Sequence, residues 1–93
     1  MSNVQQSWRE AKEAEAAGDK AAARRVYEAI LAAQPSSARA VIAICRLDLE
    51  AGRATAALEL LERVKPQEIE PEVLVDFGLT RAATLRLLGR YED

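Results

Sequence analysis

Histidine is absent from this sequence, and cysteine occurs once, at Cys45. The first absence removes the commonest general base and the commonest zinc ligand. The second forbids an internal disulfide. With no imidazole to activate it, Cys45 reads as an inert core thiol, since free cysteine is among the most buried residue types. Aromatic residues make up only 4% of the chain, so a core must be built from Ala, Leu, Val and Ile. No apolar run reaches the ~18 residues needed to span a bilayer. The opening MSNVQQSWREAKEAEAAG is polar and lacks the apolar centre of a signal peptide. These features lead us to expect a cytoplasmic protein that does not engage membranes. A net charge of −2 lacks the cationic excess that nonspecific nucleic-acid binding requires. The stretch GDKAAAR lacks the Gly-Lys-Ser/Thr ending of a phosphate loop. No catalytic constellation is present, and the expectation is a non-enzyme without cofactor or metal.

What the chain has is helix. Nineteen of its 93 residues are alanine, the strongest helix former and one that permits close helix–helix approach. The length suits one domain or part of one. A first helix is expected to about Ala17, opened by a capping box at Ser2–Gln5, with Val4, Trp8 and Ala11 on one face. Gly18 supplies the left-handed stop and Asp19 the next cap. A second helix over about 20–33 places Ala23, Val26, Tyr27, Ile30 and Leu31 on one stripe, and Gln34-Pro35 ends it. Ser36 or Ser37 caps a third helix, ARAVIAICRLDLEA, apolar on nearly all sides and so expected to lie between neighbours. After Gly52 a fourth helix buries Ala57, Leu58, Leu61 and Val64. KPQEIEPE reads as a linker, and Pro71 opens a fifth helix that Gly89 closes. Nothing alternates with period two, so no strand is expected. Glu10, Glu13 and Glu28 fall opposite the apolar stripes and read as solvated.

The second helical pair repeats the first. Thirty-four residues separate Ala11 from Cys45, Gly18 from Gly52, Ala23 from Ala57, Tyr27 from Leu61, and Ile30 from Val64. Cys45 to Ala82 and Gly52 to Gly89 are both 37, the three extra residues falling in the linker. Recurrence of the whole set in one register marks an array of helical hairpins. Small residues belong where paired helices approach, so Ala11, Cys45 and Ala82 should each face the second helix of their pair, answered by Ala23 and Ala57. A Leu61→Ala change should cost roughly 2–5 kcal/mol if the site is fully buried.

On these residues the chain resembles the tetratricopeptide repeat family. The motif positions are Ala11, Gly18, Ala23, Tyr27, Ile30 and Pro35 in one copy, and Ile44, Cys45, Gly52, Ala57, Leu61 and Val64 in the next. Ala82, Gly89 and Tyr91 stand in a third. Glu10 and Arg81 occupy places where the family has a large apolar residue, Trp8 stands one place late, and Pro66 three residues early. The resemblance implies an all-α, right-handed superhelical array of antiparallel hairpins, about five helices in a single domain. Repeat 1 would cover about 2–35, repeat 2 about 36–66, and an incomplete repeat 3 about 70–93.

The resemblance also implies a concave groove lined by the first helix of each pair, holding a peptide or a partner's helix. Carried onto this sequence, the groove shows Gln5, Trp8 and Lys12, then Arg39, Ile42, Arg46 and Leu49, then Asp76, Leu79, Ala83 and Arg86. Lys12, Arg39, Arg46 and Arg86 make it locally basic, and Ile42, Leu49 and Leu79 give it an apolar floor. The implied partner is another protein or an acidic peptide, since Arg pairs with carboxylates in bidentate fashion. Family members that grip a chaperone's terminal carboxylate use a clamp of Lys and Asn. Here the only Asn is Asn3, so that activity is not transferred. Two alternatives stand beside the scaffold reading. Leu74, Phe77, Leu85 and Leu88 leave an apolar strip on the fifth helix, which either marks an amino-terminal fragment of a longer protein or joins two copies as a homodimer. The segment also resembles accessory regions of larger enzymes, such as the leading part of bacterial transferases or regions attached to thioredoxin-like co-chaperones.

Overall fold

The computed structural model describes residues 4–89; the Ser2–Gln5 capping box, Tyr91 and the Val4 side chain fall outside what it describes. Five α-helices follow one another: α1 (Val4–Ala16), α2 (Lys20–Ala33), α3 (Ala38–Glu50), α4 (Ala54–Glu62) and α5 (Pro71–Leu87), with a 3-10 turn at Pro66–Glu68 before the last. No strand occurs among the described residues. The fold is all-α, as expected. The chain divides into two compact units, Met1–Pro35 and Ser36–Asp93.

The helix boundaries follow from local chemistry. The Asp19 carboxylate accepts from the Ala22 amide at 3.1 Å, and the Ser37 hydroxyl from the Ala40 amide at 3.2 Å. Each satisfies a first-turn N–H that no helical carbonyl can reach. Gly18, Gly52 and Gly89 close α1, α3 and α5 with φ between 71° and 81°. That region costs an L-residue with a Cβ ~1–2 kcal/mol. Pro71 stands at the start of α5, where its missing N–H deprives no partner.

In the first unit, α1 packs on α2. Ala11, Ala23 and Tyr27 are fully buried and Ile30 nearly so, whereas Val26 and Leu31 are half-buried. Tyr27 is the largest side chain inside. Its hydroxyl donates to the Glu15 carboxylate, which gives the buried phenol a partner. The Trp8 ring lies against it, 5.6 Å between centroids and tilted by 57°.

In the second unit, α3 packs against both α4 and α5, and α4 against α5. Nine of the thirteen residues of α3 are buried. Cys45 has no exposure, and its thiol donates to the Ala57 carbonyl at 3.3 Å, so the small side chain lets α4 approach closely. Ala57, Leu58 and Leu61 answer from α4. Val64 stands beyond the end of α4 and packs, with Phe77, on a cluster of Ala38, Ile42, Ile69 and Val73.

One expectation about this unit is corrected. The KPQEIEPE stretch is more than a linker. Its 3-10 turn drops Ile69 into the cluster, 7% exposed, and so ties α4 to α5. Ala82 is exposed, and no second helix of its expected pair lies among the described residues. The face of α5 that packs on the rest of the unit is Val73, Phe77, Thr80 and Thr84, at helical spacing. Thr84 is fully buried, and its hydroxyl donates to the Thr80 carbonyl at 2.8 Å.

Candidate protein-interaction surface

The sequence places three α1 residues on a candidate surface. In the first unit Gln5 and Lys12 are exposed and Trp8 is half-buried. Because its ring lies against Tyr27, the indole is first a packing residue of the α1–α2 hairpin.

On α3 the candidates separate by depth. Arg39 and Arg46 stand seven residues apart, two turns and ~10 Å along one helix face, and both are exposed. Leu49, three residues on, is half-buried. Ile42 is only 8% exposed and belongs to the cluster with Ile69 and Val73. It is core, not the floor of an open groove. It sits on the edge of the helix nearest α5, where the arrival of Val73 covers it.

On α5, Asp76, Leu79, Ala83 and Arg86 share one strip at helical spacing. Asp76, Leu79 and Arg86 are exposed and Ala83 is half-buried. The second unit therefore presents three arginines, one aspartate and the Leu79 side chain, with part of Leu49, on two helices that pack together. Arg39 and Arg46 stand on a helix that is otherwise mostly buried, a firm base for bidentate pairing with carboxylates. By contrast, Glu28 on α2 is exposed and engaged with Arg24 at 3.1 Å, a solvated i,i+4 pair of little consequence.

The apolar strip expected from Leu74, Phe77, Leu85 and Leu88 is redrawn. Phe77 packs onto the Ile42–Val73 cluster, and Leu85 and Leu88 are half-buried. Leu74 is exposed, and so are Val75, Leu79 and Leu87, together with Gly78 and Ala82. Every exposed large apolar side chain among the described residues is on α5. Val75 and Gly78 are not part of the strip expected from the leucines and Phe77, and Ala82 is expected at a hairpin contact. The two inward threonines disguise the inward face as polar. Asp48, 1% exposed on α3, was likewise unforeseen, since one carboxylate on an apolar helix looks solvated.

No group of three or more His, Cys, Asp or Glu among the described residues could hold a metal ion. No described helix is long and apolar enough to cross a membrane. A family model for the tetratricopeptide repeat matches residues 14–74, about two thirds of the chain, running from the end of α1 to the start of α5. Comparison with curated proteins returns no match, and neither does comparison with solved structures.

Proposed function

The chain belongs to the tetratricopeptide repeat family, whose repeats generally mediate protein–protein interaction, and from that premise we propose a non-catalytic scaffold that binds an acidic, partly apolar peptide or helix of a partner protein. The binding face is the second unit's: Arg39, Arg46 and Leu49 from α3, with Asp76, Leu79, Ala83 and Arg86 from α5. Gln5, Lys12 and half-buried Trp8 form a smaller face on α1. In this reading the chain is one domain of two and a half repeats.

The observation that supports it is the exposure of α3. The helix is buried on most sides, and what it leaves to solvent is centred on two arginines of one face. Arginine on a helix held this firmly loses little further freedom when it grips a carboxylate. Two such groups set ~10 Å apart match acidic side chains spaced along an extended or helical ligand. Leu79 adds apolar contact beside them.

The test is affinity capture from native lysate, with mass spectrometry, comparing the wild type with an Arg39→Glu/Arg46→Glu variant. Both positions are exposed, so circular dichroism should show the fold intact. A partner captured by the wild type should be lost from the variant, and its binding should weaken as salt rises. Equal capture of the same partner by both proteins would falsify the arginine face.

A further inference from the structure

We infer that the arginine-bearing face of the second unit is bipolar and takes a partner's α-helix with carboxylates at one end and cationic side chains about three turns away. The inference rests on the reading of this face as a binding surface and adds the charge pattern of the ligand.

The first observation is the order of charges along α3 and α5. Short connections make α3, α4 and α5 alternate in direction, so α3 and α5 run the same way. The cluster of Ala38 and Ile42 with Ile69 and Val73 brings their starting ends together. The 37-residue step that separates Cys45 from Ala82 also separates Arg39 from Asp76 and Leu49 from Arg86. Equivalent positions of stacked repeats lie side by side, so Asp76 falls at the level of Arg39, and Arg86 falls just beyond Arg46. Glu72 stands one turn before Asp76 on the same strip of α5. The starting end of the face therefore sets one arginine, Arg39, beside two carboxylates, Glu72 and Asp76. The far end sets two arginines, Arg46 and Arg86, near one carboxylate, Glu50. All six side chains are exposed. Asp76 and Arg86 are ten residues apart, ~15 Å along the helix.

The second is that these charges do not consume one another. Among the described residues, none of Arg39, Arg46, Glu72, Asp76 and Arg86 takes part in an ion pair. A ligand of one sign throughout would be attracted at one end and repelled at the other, and a built-in repulsion of this kind is what separates partners. Asp76 and Glu72 are in this sense the specificity-determining residues, and Arg46 with Arg86 the carboxylate-binding pair.

The third is the nature of the face. It is made of two helices whose backbone groups already bond within each helix, so it offers a ligand side chains only. An extended peptide would gain no backbone hydrogen bonds there, whereas a helix arrives with its backbone satisfied. Leu79 is 64% exposed between the two charged ends and meets the apolar middle of such a helix.

The experiment is fluorescence anisotropy of labelled, alanine-based helical peptides of about 15 residues, titrated with the 93-residue chain. One peptide carries two glutamates in its first turn, a leucine in its middle and two lysines in its last turn. A second carries glutamates at both ends, and a third lysines at both ends. The two-signed peptide should bind the wild type about tenfold more tightly than either of the others, and less tightly as salt rises. Glu72→Lys/Asp76→Lys should make the glutamate-ended peptide the tightest ligand. Arg46→Glu/Arg86→Glu should make the lysine-ended peptide the tightest. All four positions are exposed, so circular dichroism should show both variants folded. A glutamate-ended peptide that binds the wild type as tightly as the two-signed one, with both lost in Arg39→Glu/Arg46→Glu, overturns the bipolar inference and leaves the arginine face standing. Undiminished binding of the two-signed peptide by Arg39→Glu/Arg46→Glu overturns both. A two-signed peptide that fails to bind at millimolar concentration overturns the inference, whatever the lysate capture returns. So do folded charge swaps that leave the order of the three peptides unchanged.

Discussion

Two glycines with opposite requirements show how far one residue's chemistry can be read. Gly52 ends α3 at φ 78°. Its added Cβ would find open space too, so only the backbone conformation opposes substitution there. Gly52→Ala should therefore cost about 1–2 kcal/mol. Gly78 has ordinary helical φ and equally open surroundings. Gly78→Ala should instead raise stability by about 1 kcal/mol. Urea denaturation of both variants checks the sign of each. A destabilised Gly78→Ala protein would mean that the helix itself needs this glycine. The contrast was only half visible in the sequence. Gly52 announces itself by standing between two apolar-periodic runs and recurring from Gly18, whereas nothing around Gly78 in VDFGLTRAA says whether its missing side chain faces in or out.

At the level of elements, the sequence was most informative where one apolar stripe decides the packing. In α2 the expected limits are those observed, and Ala23, Tyr27 and Ile30 point inward. The paired small positions Ala11 and Cys45 are buried as the 34-residue repeat requires. Legibility failed where the inward face is not simply apolar. In α5, Thr80 and Thr84 take inward positions because the Thr84 hydroxyl can be satisfied by its own helix. Of the strip expected to be uncovered, Phe77 packs inward with them, Leu85 and Leu88 are half-buried, and Leu74 is exposed. Ile69 was overlooked for another reason: a single apolar residue between two prolines carries no period. Its burial makes the 3-10 turn a clamp, and Ile69→Ala should cost about 2–5 kcal/mol. Hydrogen exchange should show the loss concentrated in the amides of residues 64–73. An Ile69→Ala protein with unchanged midpoint and protection would return this stretch to the status of linker.

For the whole molecule, the division at Pro35 and Ser36 has a consequence for folding. The second unit holds three helices and a cluster, Ala38, Ile42, Ile69 and Val73, contributed entirely from its own chain segment. The first unit is a single hairpin of 35 residues. Burial rises with chain length, and below about 40 residues a fold without disulfide, metal or further association is seldom stable. Cys45 lies in the other unit, so no crosslink within the first can compensate. The expected outcome is asymmetric. A chain of residues 36–93 should keep its helical circular dichroism and a cooperative thermal transition. A chain of residues 1–35 should show only the shallow, uncooperative melting of an isolated helical peptide, because nucleating a helix costs more than one hairpin contact face recovers. If residues 1–35 melted cooperatively on their own, Tyr27, Trp8 and Ile30 would form a sufficient core. The principle that hairpins of this kind are stable only in an array would then not govern this chain.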